Sequence, residues 1–189
     1  MRYKYETRAV VLSRSSVGEA STFITILTPD LGLVRTLSQG VRKSGAKLAH
    51  ALTTFAESDV VLVRGKDGWR LSGAVLVYNW SRQMPLAETR SRAIRISGLL
   101  LRLVAGEAHD PKLFTIIREF FQALALFPEE TNESVEILAA LRILATLGFD
   151  KGGIPEDTSA FTQPLLNEIL KNRTSYISRI NHGIEASGL

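Results

Sequence analysis

The chain has 189 residues, of which 45% are hydrophobic and 22% charged, with a net charge of +4 and no cysteine. That composition fits one large globular domain or two small ones and excludes wholesale disorder. The missing cysteines exclude a disulfide framework, a thiolate zinc site and a cysteine nucleophile, and the histidines (His50, His109, His182) are too scattered to form a local ligand pair. No apolar run reaches ~18 residues, and the charged start has no apolar signal core. A cytoplasmic chain with no membrane partner and no cofactor is expected.

Residues 3–80 read as strands and turns. Residues 3–13 are rich in Tyr, Thr and Val, which suit a pleated, half-buried surface. Residues 15–20 form a turn, 21–28 a second strand, and Pro29-Asp30-Leu31-Gly32 a second turn in which glycine can take positive φ. Residues 33–39 make a third strand and lead into the loop Gly40-Val41-Arg42-Lys43-Ser44-Gly45-Ala46-Lys47. Residues 54–64 and 69–78 are two more strands, joined by Gly65-Lys66-Asp67-Gly68, a hairpin signal. Short strands in this number over ~80 residues point to a small five-stranded barrel of the oligonucleotide-binding type, the OB-fold.

Residues 81–189 change period. A long helix is expected over 85–104. Asp110-Pro111 opens another, with Leu113, Ile116, Ile117, Phe120, Phe121 and Leu124 on one face. Leu138, Leu141, Leu144 and Leu147 mark a third, stopped near Gly148. A fourth follows Pro164, and Tyr176, Ile177 and Ile180 suggest a fifth. The fold class is therefore α+β: a barrel over 1–80 and an all-helical domain over 81–189, with no flexible linker between them.

Charge divides in the same place. Residues 1–80 carry +5 and residues 81–189 carry −1. A basic domain beside a near-neutral one suggests that the first meets a polyanion and the second packs or binds partners. No acid lies between Asp30 and Glu57, and Arg42, Lys43 and Lys47 fall within six residues there. A barrel that binds single strands needs cations along the phosphates and rings on which bases stack. The candidate cations are Arg35, Arg42, Lys43, Lys47, Arg64, Lys66 and Arg70. Among the rings, Tyr3 and Tyr5 are available, Phe23 and Phe55 read as core, and Trp69, beside the hairpin tip, reads as the surface platform. The basic loop alone fits a solvated loop equally well. Arg92, Arg95 and Arg102 share one face of the long helix. That face is either merely solvated or an anion site for a partner's carboxylates, which arginine grips bidentately. Walker A, GxGxxG and His-x-x-x-His patterns are missing. Glu129, Glu130 and Glu133 fit a helix start, and no enzymatic activity is expected.

The order of these pieces resembles a known family. Thr7-Arg8-Ala9-Val10-Val11-Leu12-Ser13, Gly18-Glu19-Ala20, Leu27-Thr28-Pro29-Asp30-Leu31-Gly32-Leu33 and Gly40-Val41-Arg42-Lys43-Ser44 are similar to the opening of the bacterial RecO family. Asp110-Pro111-Lys112-Leu113-Phe114 and Leu144-Ala145-Thr146-Leu147-Gly148-Phe149 are similar to its helical domain. The resemblance implies an OB-fold followed by helices, and binding to single- and double-stranded DNA. It implies annealing of complementary strands and recombination mediation on strands coated by single-stranded-DNA-binding protein. RecR would be a partner, and RecA would be loaded as the indirect result. It carries the DNA-contact role to Arg42 and Lys43, and less directly to Lys47. Many members also hold a four-cysteine zinc site after the Leu-Gly-Phe segment. Here Asp150-Lys151-Gly152-Gly153-Ile154-Pro155 follows instead, so no zinc role carries over. The alternatives are a non-catalytic interaction scaffold with weak or no DNA binding, and an RNA-binding barrel.

Overall fold

The computed structural model describes residues 3–17, 21–39, 48–66, 68–104, 106–107, 110–154 and 159–189. The chain divides into two compact units, Met1–Gln83 with Gly106–Phe114, and Met84–Ala105 with Thr115–Leu189.

The first unit holds β1 (Lys4–Val17), β2 (Ser21–Thr28), β3 (Gly32–Gln39), β4 (Ala56–Gly65) and β5 (Gly68–Asn79), followed by the single turn α1 (Trp80–Gln83). The strands close in the order β1-β2-β3-β5-β4. All pairings are antiparallel except the short parallel contact of β3 with β5 at Thr36–Trp69 and Leu37–Arg70. This is the five-stranded OB-fold barrel. Its interior is filled by Val11, Ile24, Ile26, Val34, Val60 and Leu62, which alternate with outward residues along their strands. A bulge between Val11 and Ser13 breaks the alternation and leaves Ala9, Val10, Val11 and Leu12 consecutively buried.

Two strand limits differ from the sequence reading. β1 runs on to Val17, with Ser15 opposite Phe23 and Val17 opposite Ser21, because its polar end still pairs with β2. β4 begins at Ala56 rather than at 54. Phe55 takes φ 65°, a left-handed conformation that no strand accepts and that a bulky side chain rarely adopts. Its N–H donates to the Val11 carbonyl at 2.8 Å and its own carbonyl accepts from Trp80 N at 3.2 Å, so both sides hold it in place. The β2–β3 turn closes on Thr28: its Oγ1 accepts from Leu31 N at 2.9 Å, and Gly32 takes φ 67°.

The second unit is helical. α2 (Ala87–Leu103), α4 (Asn132–Thr146), α5 (Gln163–Lys171) and α6 (Arg173–Ala186) belong to it, with most of α3 (Pro111–Leu126). α4 is the central helix and packs against α2, α5 and α6. It is buried nearly all round, as a helix enclosed by others must be. It also starts six residues before Leu138, the first leucine of the period read from sequence. Asn132 opens it and is buried, donating from Nδ2 to Thr89 Oγ1 at 3.2 Å. Arg142 is buried too; its guanidinium donates to the carbonyls of Ser159 and Ala160 at 2.8 and 2.9 Å. The long helix expected over 85–104 begins at Ala87. Glu129–Thr131 form a 3-10 turn just ahead of α4.

Candidate nucleic-acid interface

Strand alternation sets the outer face of the barrel. On β2, Ile24 and Ile26 point in, so Phe23 and Thr25 point out. On β3, Thr36 and Ser38 are buried and Arg35 and Leu37 face outward. Cross-strand register aligns Ser15, Phe23, Leu37 and Arg70 in one row over β1, β2, β3 and β5. The Arg35 guanidinium lies over the Phe23 ring, 4.3 Å from its centroid. A delocalised cation on an aromatic face, partly open to solvent, is the pair of functions that single-strand binding asks for. The sequence reading placed Phe23 in the core; period-2 alternation puts it outside. Arg35, Lys66 and Arg70 are exposed and have no ion-pair partner among the described residues. Arg42, Lys43 and Lys47 lie outside the described residues.

At the β4–β5 hairpin end the arrangement differs from the expectation. Trp69 is not a surface platform. It is 8% exposed and belongs to the barrel core, because Trp69 and Leu71 share the inward side and Arg70 takes the outward one. Tyr5 meets it edge-on at 5.2 Å. Its indole Nε1 donates to Glu107 Oε1 at 2.9 Å. Arg64 stacks on Trp69 at 4.9 Å and ion-pairs with that same carboxylate oxygen. Arg64 is therefore a committed cation rather than a free one. The Arg64 guanidinium, and after it the Trp69 N–H, hold the Glu107 carboxyl below the ordinary range. Glu107 comes from the segment Gly106–Phe114, and no local pattern in the sequence links it to a strand 43 residues earlier. On the same barrel, Arg8 bonds Asp59 at 2.7 Å and Glu57 at 3.1 Å, which raises its pKa, mainly through Asp59.

The helical unit carries a groove of about 800 Å³ among α2, α4 and α6. Its floor includes Ile96, Leu99, Ile137, Ala140, Ile177 and Ile180, and Arg92, Arg95 and Arg102 stand around it. The structure brings these arginines to one site but does not leave them equally free. Glu136 Oε2 accepts from Arg92 at 2.6 Å, and its Oε1 accepts from Arg95 Nε at 2.6 Å. Glu88 adds contacts of 3.4 and 3.3 Å. The bonds from Glu136 raise the pKa of Arg95. Arg102 is exposed and has no carboxylate partner among the described residues. Glu133 is held by Arg173 at 2.7 Å, which lowers its pKa. After the Leu147-Gly148-Phe149 segment, Arg179 bonds the carboxylate of Asp150 at 2.5 Å and the Gly153 carbonyl at 3.3 Å. Among the described residues no cluster of His, Asp and Glu could hold a metal ion, and no helix is long and apolar enough to cross a membrane.

A closed OB barrel with an arginine stacked on its β2–β3 face, followed by a helical bundle, defines a class: OB-fold proteins extended by a helical domain. Residues 1–80 match the family described as recombination protein O, N terminal. The DNA repair protein RecO of Dehalococcoides mccartyi is 27% identical over 122 residues, covering 65% of this chain and 48% of that protein. The protein of the same name from Roseiflexus sp. is 31% identical over 120 residues, 64% of this chain and 42% of its own. That of Synechococcus elongatus is 33% identical over 154 residues, 75% of this chain and 51% of its own. Residues 1–80 are thus a recombination protein O N-terminal domain, and the like-named relatives aligned further along the chain support the RecO family. It spans about half the length of the curated relatives it matches.

Proposed function

We propose that this chain is a DNA repair protein that works as a recombination mediator, by physical rather than chemical means. The barrel (1–80) holds single-stranded DNA by its phosphates and leaves base edges open. A second strand, or a duplex, is drawn by the remaining positive surface, which raises the chance of annealing. The helical part (81–189) contacts the protein that coats single strands, and with RecR the complex lets RecA load. The observation that carries the reading is the Arg35–Phe23 stack in register with Leu37 and Arg70, beside cations that have no carboxylate partner among the described residues. Phosphate contacts are assigned to Arg35, Lys66 and Arg70, and to Arg42, Lys43 and Lys47 of the basic loop; Phe23 is the stacking ring. The apolar groove ringed by Arg92, Arg95 and Arg102 suits an acidic peptide end of the coating protein, with Arg102 the cation that has no carboxylate partner among the described residues.

The test is fluorescence anisotropy of a labelled ~30-nucleotide single strand over a salt series, a length that spans several OB site sizes. Binding is expected to fall steeply with salt, because phosphate neutralisation releases counterions. It is expected to weaken in Arg42→Ala/Lys43→Ala and in Arg35→Ala. A protein that stays off the strand at low salt overturns the DNA reading and leaves the scaffold. A preference for the matched RNA overturns it in favour of an RNA-binding barrel. Coating-protein binding that survives Arg102→Ala overturns the groove assignment.

A further inference from the structure

One cation of the β4–β5 hairpin, Arg64, is already occupied. Glu107 Oε1 accepts from the Trp69 N–H at 2.9 Å and pairs with the Arg64 guanidinium, while that guanidinium stacks on the Trp69 ring at 4.9 Å. One anionic oxygen thus satisfies a guanidinium and an indole N–H together. A strand phosphate presents the same chemistry: a tetrahedral anion whose oxygens accept from an arginine and a nearby N–H.

Three features make the occupation reversible. The side chains of Arg64 and Glu107 are 49% and 47% exposed, so the pair is open to water and to competitors, and an exposed ion pair contributes little. Glu107 belongs to no strand, so its departure breaks no ladder hydrogen bond. Gly106 precedes it at φ 74°, a conformation that glycine takes without steric cost. The position also matters. The hairpin lies at the end of the barrel where Trp69 pairs with Thr36 and Arg70 with Leu37, two strands from Phe23, and Arg64 stands there over the inward-facing Trp69.

We propose that Glu107 is an internal competitor for the nucleic-acid site: its carboxylate holds Arg64 until a strand phosphate displaces it. The proposal rests on the DNA-binding reading above. It makes Arg64 a latent phosphate contact at the barrel end, and Glu107 the residue that sets how tightly short or weakly held strands stay bound.

The experiment compares the full chain with Glu107→Gln in the anisotropy titration, over the same salt series. Glutamine keeps an oxygen for the Trp69 N–H but loses the charge. The variant is expected to bind single strands about threefold or more tightly at low salt, with a salt slope steeper by about 0.7, the increment of one added phosphate contact. In an Arg64→Ala background, Glu107→Gln is expected to change neither quantity. Circular dichroism and melting of each variant establish that the barrel is folded, and Glu107→Ala repeats the test without the amide. Binding by the unmodified chain with no gain in either Glu107 variant overturns the competition. An equal gain in the Arg64→Ala background also overturns it, because net charge alone then explains the effect. Binding by neither the unmodified chain nor Glu107→Gln overturns the DNA reading itself. Binding by the variant alone supports the competition in its strongest form.

Discussion

The cations of the barrel and the arginines of the helical groove look alike in the sequence, as basic residues beside apolar ones, yet the fold treats them differently. On the barrel face, Arg35 rests on an aromatic ring and Arg70 projects beside it, neither in an ion pair among the described residues. In the helical unit, Glu136 sits between Arg92 and Arg95, and the side chains of Arg92 and Glu136 are each only 18% exposed. A half-buried arginine with a dedicated carboxylate is part of the structure, since removing either partner leaves a charge in a poorly solvated place. An exposed arginine on a ring keeps its donors for a ligand. A count of basic residues therefore overstates what the helical unit can offer and is a fairer guide on the barrel.

The largest effect that would break this comparison is structural. Glu136→Ala leaves Arg92 and Arg95 with only their longer contacts to the exposed Glu88 and is expected to destabilise the helical unit by about 3 kcal/mol. Chemical denaturation followed by circular dichroism reads it. A loss below about 0.5 kcal/mol, the scatter of ordinary surface substitutions, would mean that these arginines are as free as those of the barrel. The next effect lies on the other side. Phe23→Ala is expected to leave the barrel folded and to weaken single-strand binding by about 1–3 kcal/mol, the range for one stacked base. Unchanged affinity in a folded variant would make the Arg35–Phe23 pair surface packing only. A smaller effect is acid sensitivity. Glu107 and Glu133 both have carboxyl pKa values depressed by arginine. A carboxylate depressed in the folded state contributes stability that is complete above its unfolded value, about 4.5, and is lost as the pH falls through the folded value. Melting temperature is expected to hold from neutral pH down to about 4.5 and then to drop. The stability lost on acidification should be smaller in Glu107→Gln by at most about 1 kcal/mol, because the pair is exposed. An identical acid profile in that variant would mean that the ion pair adds no stability.

What could be read from the sequence follows the range of each signal. Local periods gave the barrel and the helices, since alternation and the 3.6-residue stripe are written within a few residues of each other. Alternation also held more than was taken from it. With Ile24 and Ile26 inward, Phe23 has to face out, and with Arg70 outward, Trp69 and Leu71 have to face in. Residue type overrode position at both rings: phenylalanine was assigned to the core and the tryptophan beside a turn to the surface. The start of β4 was misplaced because a left-handed Phe55 has no signature in composition; only its bonds to Val11 and Trp80 fix it. The pairing of Glu107 with Arg64 and of Glu136 with Arg92 and Arg95 joins residues some forty positions apart, beyond any local rule. The availability of a charge is thus the property least legible in the chain, although the charge itself is the easiest to count.

The smallest expected effect gives the sharpest test of availability. Arg70 lies outward on β5, level with Leu37 and two strands from Phe23, and has no acid beside it among the described residues. Arg70→Ala should leave stability within about 0.5 kcal/mol, as an exposed residue outside any ion pair does. If its guanidinium meets a phosphate, the plot of log affinity against log salt for a single strand should become shallower by about 0.7. Arg92→Ala makes the converse control: it should lower stability and leave that slope unchanged, because its charge is spent on Glu136. The two slopes together decide whether free and committed arginines are separated as the ion pairs predict. Equal slopes for both variants would show that the barrel face is no more available to a polyanion than the groove.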